Sequence, residues 1–226
     1  MARKGFQQQL AELRENVLYM SEIVLERMRA GLTALETKDE SIARGVIEGD
    51  HEINELYLEL EQDCIGLFAL QQPVAGDLRF IAASFKIITD LERVADLATN
   101  LGEYTLQAER DMYPDVDIQG IGNAVIEMVE DAMTAYADED VDACFGIDDR
   151  DDGVDELCER ASSTVVRDLI EREIDADSSE IEIEALMTEV SRLLLTIRDL
   201  ERVGDHAVNI AARTLYMVDN SDELIY

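Results

Sequence analysis

An internal duplication is the feature of this sequence that most restricts its fold. The segments 90–100 and 199–209 share eight of eleven residues at an offset of 109 positions. Upstream of them, residues 34–56 align with residues 135–157 at an offset of 101, with Ala, Asp, Gly, Glu and Leu at matching positions. Because chance does not produce such agreement, the chain is predicted to contain two copies of one structural unit.

The spacing of apolar residues predicts that each copy consists of three helices. Apolar residues recur every three or four positions, which is the period of an amphipathic helix. These stripes cover residues 6–36, 42–67 and 78–91 in the first copy and residues 118–137, 141–171 and 182–217 in the second. Asp39 or Ser41 can cap the second helix, and Pro73 marks the turn before the third.

The predicted fold class is therefore all-α, with two tandem three-helix bundles related by a pseudo-twofold axis. The first bundle is assigned to residues 1–106, the linker to residues 107–117 and the second bundle to residues 118–226. Composition agrees with this assignment, because 12 Gly, 2 Pro and 5% aromatic residues supply too few turns and β-formers for a sandwich or barrel.

The net charge of −33 excludes several classes of partner. Nucleic acids and anionic membrane surfaces are bound through basic patches, so neither direct nucleic-acid binding nor membrane association is expected. Acidic residues number 52, whereas only three of the 19 basic residues are lysines, a balance typical of proteins from salt-accumulating halophiles. With no long apolar segment and no secretory signal pattern near the N-terminus, a soluble cytoplasmic protein is expected.

The three cysteines predict neither disulfides nor a zinc site. Cys64, Cys144 and Cys158 are odd in number and lack CxxC spacing, so we interpret them as small core residues.

Acidic residues continue the apolar row of the third helix in both copies. The rows are Ile81, Phe85, Ile88, Glu92 and Asp96 in the first copy and Val190, Leu194, Ile197, Glu201 and Asp205 in the second. A carboxylate in line with a buried stripe is costly unless it meets a counter-charge or a metal ion. These pairs are therefore candidate metal ligands, although a solvated charged face or a helix-packing surface explains them as well.

The second helix offers acidic residues that can face these pairs. Asp151 and Asp155 lie four residues apart, and the first-copy equivalents are Asp50 and Asn54. Acidic pairs from two antiparallel helices would form an oxygen-rich cluster suited to Fe, Zn, Mn or Mg ions.

Neighbouring polar residues are weaker candidates. His51 and His206 each follow an acidic residue of the motif, and one helical position turns a side chain by about 100°, away from its neighbour. Asp90 and Asp199 are likewise expected to face away from the clusters. Glu48 and His51 match one Glu-x-x-His element of di-iron bundles, but no second element exists.

The duplicated segments DLERVADLATN and DLERVGDHAVN, together with the Gln72-Pro73-Val74-Ala75-x-Asp77-Leu78-Arg79 turn, resemble the PhoU family of phosphate-transport regulators. The resemblance covers roughly residues 6–217. It implies that metal clusters are held by acidic residues of the second and third helices. Matched position by position, these are Asp50, Glu92, Asp96, Asp151, Asp155, Glu201 and Asp205. Asn54 departs from the pattern and leaves the first cluster one carboxylate short.

The resemblance also implies a function. It indicates a cytoplasmic, non-enzymatic protein that negatively controls a phosphate ABC transporter through the ATPase subunit and communicates with a sensor histidine kinase or another regulator. It further implies a homodimer. Two alternatives stay open at this point: a metal-binding helical oxidase or storage protein, and a metal-free helical scaffold.

Overall fold

The computed structural model describes residues 2–70, 74–108, 116–171 and 180–225, and within these ranges the chain forms seven α-helices and no strand. The helices are α1 (Ala2–Thr37), α2 (Glu40–Glu48), α3 (Asp50–Leu70), α4 (Ala75–Gln107), α5 (Ile118–Asp138), α6 (Val141–Glu171) and α7 (Glu180–Asp219). The all-α prediction is confirmed, with α1–α4 forming the first bundle and α5–α7 the second. None of these helices combines the length and apolar character needed to cross a membrane.

Two predicted features lie outside the described residues. The Gln72-Pro73 turn falls in the gap at residues 71–73, and most of the predicted linker falls in the gap at residues 109–115.

The turn between the first and second helix has the same design in both copies. Lys38 and Glu139, equivalent at an offset of 101, both adopt a left-handed backbone, with φ of 55° and 57°. The next residue then caps the following helix. Asp39 accepts hydrogen bonds from two backbone amides, the shorter from Ser41 at 2.8 Å, and Asp140 accepts one at 3.1 Å. The cap predicted at Asp39 is confirmed, and its equivalence to Asp140 supports the duplication.

The second helix of the first copy is broken, which corrects the expectation of one continuous helix. Gly49 separates α2 from α3. The guanidinium of Arg27 lies where a side chain at position 49 would project, and its Nη1 donates to the Gly45 carbonyl at 2.9 Å. The second copy has Arg150 at the equivalent position, where it pairs with Asp131 of α5, and α6 continues without a break. The break could not be predicted from the apolar stripe, because the spacing of apolar residues is maintained on both sides of Gly49.

The two bundles share one continuous apolar core. α4 and α7 pack against each other and are each surrounded by the other helices of their own bundle, while α1 also packs against α5. At the α1–α5 side, the ring of Tyr136 stacks on Phe80, and its hydroxyl lies 2.7 Å from Ser84 Oγ in the buried interior. The three cysteines are buried and unpaired, which confirms their interpretation as core residues.

Reciprocal hydrogen bonds fix the crossing of α4 and α7. Asp199 is 5% exposed and accepts from Asn100 Nδ2 at 3.0 Å and from the Tyr104 hydroxyl at 2.8 Å. Its counterpart Asp90 accepts from Asn209 Nδ2 at 3.3 Å, the residue equivalent to Asn100. Since early residues of one helix meet late residues of the other, α4 and α7 run antiparallel about the pseudo-twofold axis.

Replacing Asp199 with alanine is expected to destabilise the protein strongly. The substitution leaves the partly buried donors of Asn100 and Tyr104 without their acceptor, at a cost of about 2–4 kcal/mol in the free energy of unfolding. For a chain of this size, that lowers the melting temperature by roughly 5–15 °C. Tyr104→Phe is a milder control, because it removes the hydrogen bond from Tyr104 to Asp199 and keeps the one from Asn100. We expect it to lower the free energy of unfolding by about 1 kcal/mol. Equal melting temperatures for wild type and Asp199→Ala in calorimetry would contradict the proposed role of this contact.

Candidate metal centre

Four carboxylates of the second bundle interact where α6 meets α7. Asp151 and Asp155 lie on α6, and Glu201 and Asp205 lie on α7. Burial, followed by repulsion from Asp155 and Asp205, raises the pKa of Asp151 to about 7. Burial and then Asp205 raise the pKa of Asp155, and burial and then Asp155 and Asp205 raise the pKa of Glu201. These mutual effects show that all four predicted residues are brought to one region.

Three carboxylates of the first bundle interact in the equivalent place. Burial and then repulsion from Asp96 raise the pKa of Glu92, and burial and then Asp50 raise the pKa of Asp96. The side chain of Glu92 is 19% exposed and that of Asp96 is 44% exposed. The carboxylates at the end of the apolar row are therefore partly buried and not fully buried. Asn54, in the position of a fourth acid, donates its Nδ2 to Asp50 at 2.7 Å.

Cations distinguish the two acidic clusters. Arg93 lies 3.6 Å from Glu92 and 3.7 Å from Asp96. In addition, Arg202 and His206 of α7 act on the first cluster from across the α4–α7 crossing and oppose its raised pKa values. In the second cluster, Arg198 is the cation that opposes the raised pKa of Glu201. The first cluster therefore combines three carboxylates with the arginines Arg93 and Arg202, whereas the second combines four carboxylates with Arg198.

A glycine and an unsatisfied oxygen mark the second cluster as the better fit for a metal ion. Asp151 Oδ1 is buried and has no hydrogen-bond partner among the described residues. A Cβ at Gly204 would lie 2.9 Å from this oxygen, so glycine leaves the room that the carboxylate uses. In the first copy, Ala95 occupies the position of Gly204. A buried carboxylate oxygen without a donor is the type of ligand that a hard cation satisfies.

The side chains are not arranged as a closed coordination shell. Across the described ranges, no three His, Cys, Asp or Glu side chains converge closely enough to hold a metal ion as they stand. Several of the carboxylates are partly or fully exposed, and rotation of exposed side chains between rotamers costs little. The two clusters are thus groups of acidic side chains between neighbouring helices, and they are called the first and second cleft from here on. The second cleft has more ligand oxygens.

The structure assigns other roles to the two histidines. The side chain of His51 is 81% exposed and pairs with Glu55 at 3.3 Å. His206 Nδ1 lies 2.9 Å from Asp90 Oδ1 on the other side of the α4–α7 crossing. Sequence reasoning missed this contact because it joins residues 116 positions apart. The role of Gly204 was also missed. The sequence does contain a sign of it, because the duplicated segments differ there, with alanine in the first copy and glycine in the second.

The metal-free protein is expected to lose stability as the pH rises from about 4 to about 7. The pKa of Asp151 is raised to about 7 in the folded state, above its ordinary value of 3.8. The folded state therefore holds the proton more tightly than the unfolded state, and ionisation of Asp151 at higher pH favours unfolding. Urea titrations in the presence of a chelator should show this fall for wild type and a smaller one for Asp151→Asn. If the free energy of unfolding changed with pH in the same way for both proteins, the proposed role of Asp151 would be contradicted.

Both copies match a single family model. The model is described as the PhoU domain and matches residues 17–105 and 118–214. The chain is 32% identical over 221 residues to a Clostridium acetobutylicum protein named phosphate-specific transport system accessory protein PhoU homolog, with 96% of each chain covered. It is 29% identical to the Escherichia coli K12 accessory protein PhoU, covering 96% of this chain and 86% of that one. The crystal structure of PhoU from Pseudomonas aeruginosa superposes with a TM-score of 0.87 at 29% identity, covering 96% of this chain and all of that one.

Proposed function

Because the chain belongs to the PhoU family, we propose that it is an accessory protein of a phosphate transport system and that it regulates phosphate uptake. The observation that carries this proposal is the match of both helical bundles to the PhoU domain, joined to similarity over 96% of the chain with proteins named for that role. The full-length superposition on a PhoU crystal structure supports it further, because the relative placement of the bundles is shared as well as each bundle.

We further propose in which direction the protein regulates phosphate uptake and which proteins it contacts. The protein acts as a non-enzymatic negative regulator in the cytoplasm, and its direct partner is the ATPase subunit of the phosphate ABC transporter. A sensor histidine kinase or another regulator receives the signal, and the chain acts as a homodimer. The accessory names of the relatives support this reading in outline.

Metal ions belong to the same proposal as ligands of the two acidic clefts. Asp151, Asp155, Glu201 and Asp205 bind a divalent or trivalent ion in the second cleft. A bound ion of this kind neutralises the clustered carboxylates and holds α6 against α7. The first cleft, with Asp50, Glu92 and Asp96, binds more weakly. Iron, zinc, manganese and magnesium all suit such oxygen ligands.

The alternative functions receive no comparable support. A di-iron oxidase or storage protein needs two Glu-x-x-His elements, and this sequence has one. In addition, the His51 side chain of that element is exposed rather than directed into a cluster. Metal analysis of the purified protein separates the remaining alternative, a metal-free scaffold, from the regulator proposed here.

Deletion of the gene, followed by measurement of radiolabelled phosphate uptake, tests the proposal. If the protein restrains the transporter, uptake in phosphate-replete medium should rise in the deletion strain and return to the wild-type level on complementation. Co-purification with the ATPase subunit, compared between replete and starved cells, tests the direct contact. Equal uptake with and without the gene in both media would overturn the regulatory assignment.

A further inference from the structure

Two equivalent arginines lie near the pseudo-twofold axis, where α4 packs against α7. Arg93 and Arg202 occupy the same place in the two duplicated segments, at an offset of 109. The side chain of Arg93 is 55% exposed and that of Arg202 is 42% exposed. Each copy therefore presents one arginine to solvent beside the contact between the two bundles.

The hydrogen bonds between α4 and α7 fix the register in which these arginines face the opposite helix. Two of these bonds lie on either side of the arginines, from Asn100 to Asp199 and from Asn209 to Asp90. Counting along the antiparallel helices from these bonds places Arg202 opposite residues 96–97 of α4. In agreement with this placement, the charge of Arg202 lowers the pKa of Asp96. Asp96 therefore faces Arg93 on its own helix and Arg202 on the other.

Both guanidinium groups have unused hydrogen-bond donors. Arg93 lies 3.6 Å from the nearest oxygen of Glu92 and 3.7 Å from that of Asp96. Arg202 lies 3.6 Å from the nearest oxygen of Asp199. These distances exceed that of a hydrogen bond, and the described residues make no hydrogen bond to either guanidinium. Since each arginine carries five N–H donors in a planar group, the pair offers free donors to the oxygens of an oxyanion.

The acidic residues beside the arginines restrict which anion fits between them. Asp96 is 44% exposed, and its oxygens accept no hydrogen bond from the described residues. Glu92 and Asp50 act on the same cleft, so an anion without a proton meets repulsion from these carboxylates. An anion that carries a proton can instead donate it to the Asp96 carboxylate in a hydrogen bond while the arginines bind its other oxygens. Free donors beside a free acceptor therefore fit a protonated oxyanion.

We propose that Arg93, Asp96 and Arg202 form a binding site for inorganic phosphate in its protonated forms. The arginines bind the ionised oxygens, and Asp96 accepts a hydrogen bond from the P–OH group. The choice of phosphate among protonated oxyanions rests on the proposed function, whereas the requirement for a proton rests on the carboxylate beside the arginines. Because Arg93 belongs to the first bundle and Arg202 to the second, bound phosphate joins the two bundles.

Equilibrium dialysis with radiolabelled phosphate, in molar KCl and a chelator, tests this site. The chelator excludes phosphate held by a metal ion, since the first cleft shares Asp96 with the site. The wild type should bind one phosphate per chain. Arg93→Gln and Arg202→Gln should each weaken binding by at least about 10-fold, because each removes charge-assisted hydrogen bonds. Arg160→Gln, which removes an exposed arginine of α6, is the matched control and should bind phosphate as the wild type does.

Competition by sulfate tests the role of Asp96. Sulfate has the same shape as phosphate but carries no proton near neutral pH. It should displace phosphate only at a concentration at least about 100-fold higher, since a site that accepts a hydrogen bond rejects an analogue without the donor. Asp96→Asn should narrow this difference, because it removes the negative charge that faces sulfate. Unchanged circular dichroism would show that the variants fold.

Three results would overturn the phosphate site. These are no binding by the wild type, the same affinity in Arg93→Gln and Arg202→Gln as in Arg160→Gln, or equal competition by sulfate and unlabelled phosphate. Phosphate uptake in the deletion strain keeps this inference apart from the proposed function. If the deletion raises uptake but the purified chain binds no phosphate, the site fails and the regulatory function stands. If the chain binds phosphate as expected but the deletion leaves uptake unchanged, the function fails and the site stands.

Discussion

The purified protein is expected to lose most of its tightly bound metal when Glu201→Gln and Asp205→Asn are combined, and much less when Glu92→Gln and Asp96→Asn are combined. The second cleft has four carboxylates, including the buried, unpartnered Asp151 oxygen. The first has three, and Arg93, Arg202 and His206 lie close enough to oppose their raised pKa values. Since ligand charge tunes the affinity for hard cations over several decades, the difference between the clefts should be large.

Metal titration followed by elemental analysis and thermal melts measures this ranking. Binding should release protons, because the pKa of Asp151 is raised to about 7 and a bound ion requires the ionised carboxylate. It should also raise the melting temperature by linkage. If the first-cleft variant loses more metal than the second-cleft variant, the ranking is wrong. If neither loses any, the acidic motif is a packing or partner surface.

Gly204→Ala provides a test that keeps all four carboxylates. A Cβ at this position would crowd Asp151 Oδ1 at 2.9 Å, so the carboxylate has to move. Alanine favours a helix over glycine by about 1 kcal/mol, so we expect the variant to keep its helical fold. Metal affinity of the second cleft should fall while helical content is retained. Ala95→Gly, the equivalent change in the first copy, is the matched control and should leave the second cleft unaffected.

The second large effect is expected from salt. When salt is lowered from molar to millimolar concentration, the protein should lose helical structure or change its oligomeric state. The net charge is −33, and the distance over which charges repel grows from about 3 Å at 1 M salt to about 30 Å at 0.01 M. Repulsion then acts across whole helices, and the second half of the chain holds most of the excess acid.

Circular dichroism and melting curves at 3, 1, 0.1 and 0.01 M KCl, recorded with a chelator, test this expectation. Helical signal and melting temperature should fall together as salt falls. Millimolar Mg²⁺ added at low KCl should restore part of the signal, because divalent ions bind the carboxylate clusters. An unchanged signal and melting temperature in dilute buffer would refute the salt-adapted interpretation of the composition.

The spacing of residues along the sequence was sufficient to predict the helices and to identify the acidic residues of the two clusters. Helical periodicity is a local property, so apolar residues three or four positions apart indicate both a helix and its buried face. The duplication then placed Glu92 and Asp96 in the same setting as Glu201 and Asp205. The cap at Asp39 and the all-α class followed from the same local signals and are confirmed.

Only the tertiary structure decided how the helices cross and which charges meet. At the break, Arg27 of α1 lies against Gly49 and donates to the Gly45 carbonyl, and the partner of His206 is Asp90, 116 positions away. The unequal charge of the two clefts depends partly on Arg202 of α7, whose charge lowers the pKa of Asp96 from across the helix crossing. Such contacts depend on the angle and register between helices, which no single helix encodes. The sequence by itself therefore determined the two copies, their helices and the candidate ligands, whereas packing determined the difference between the two sites.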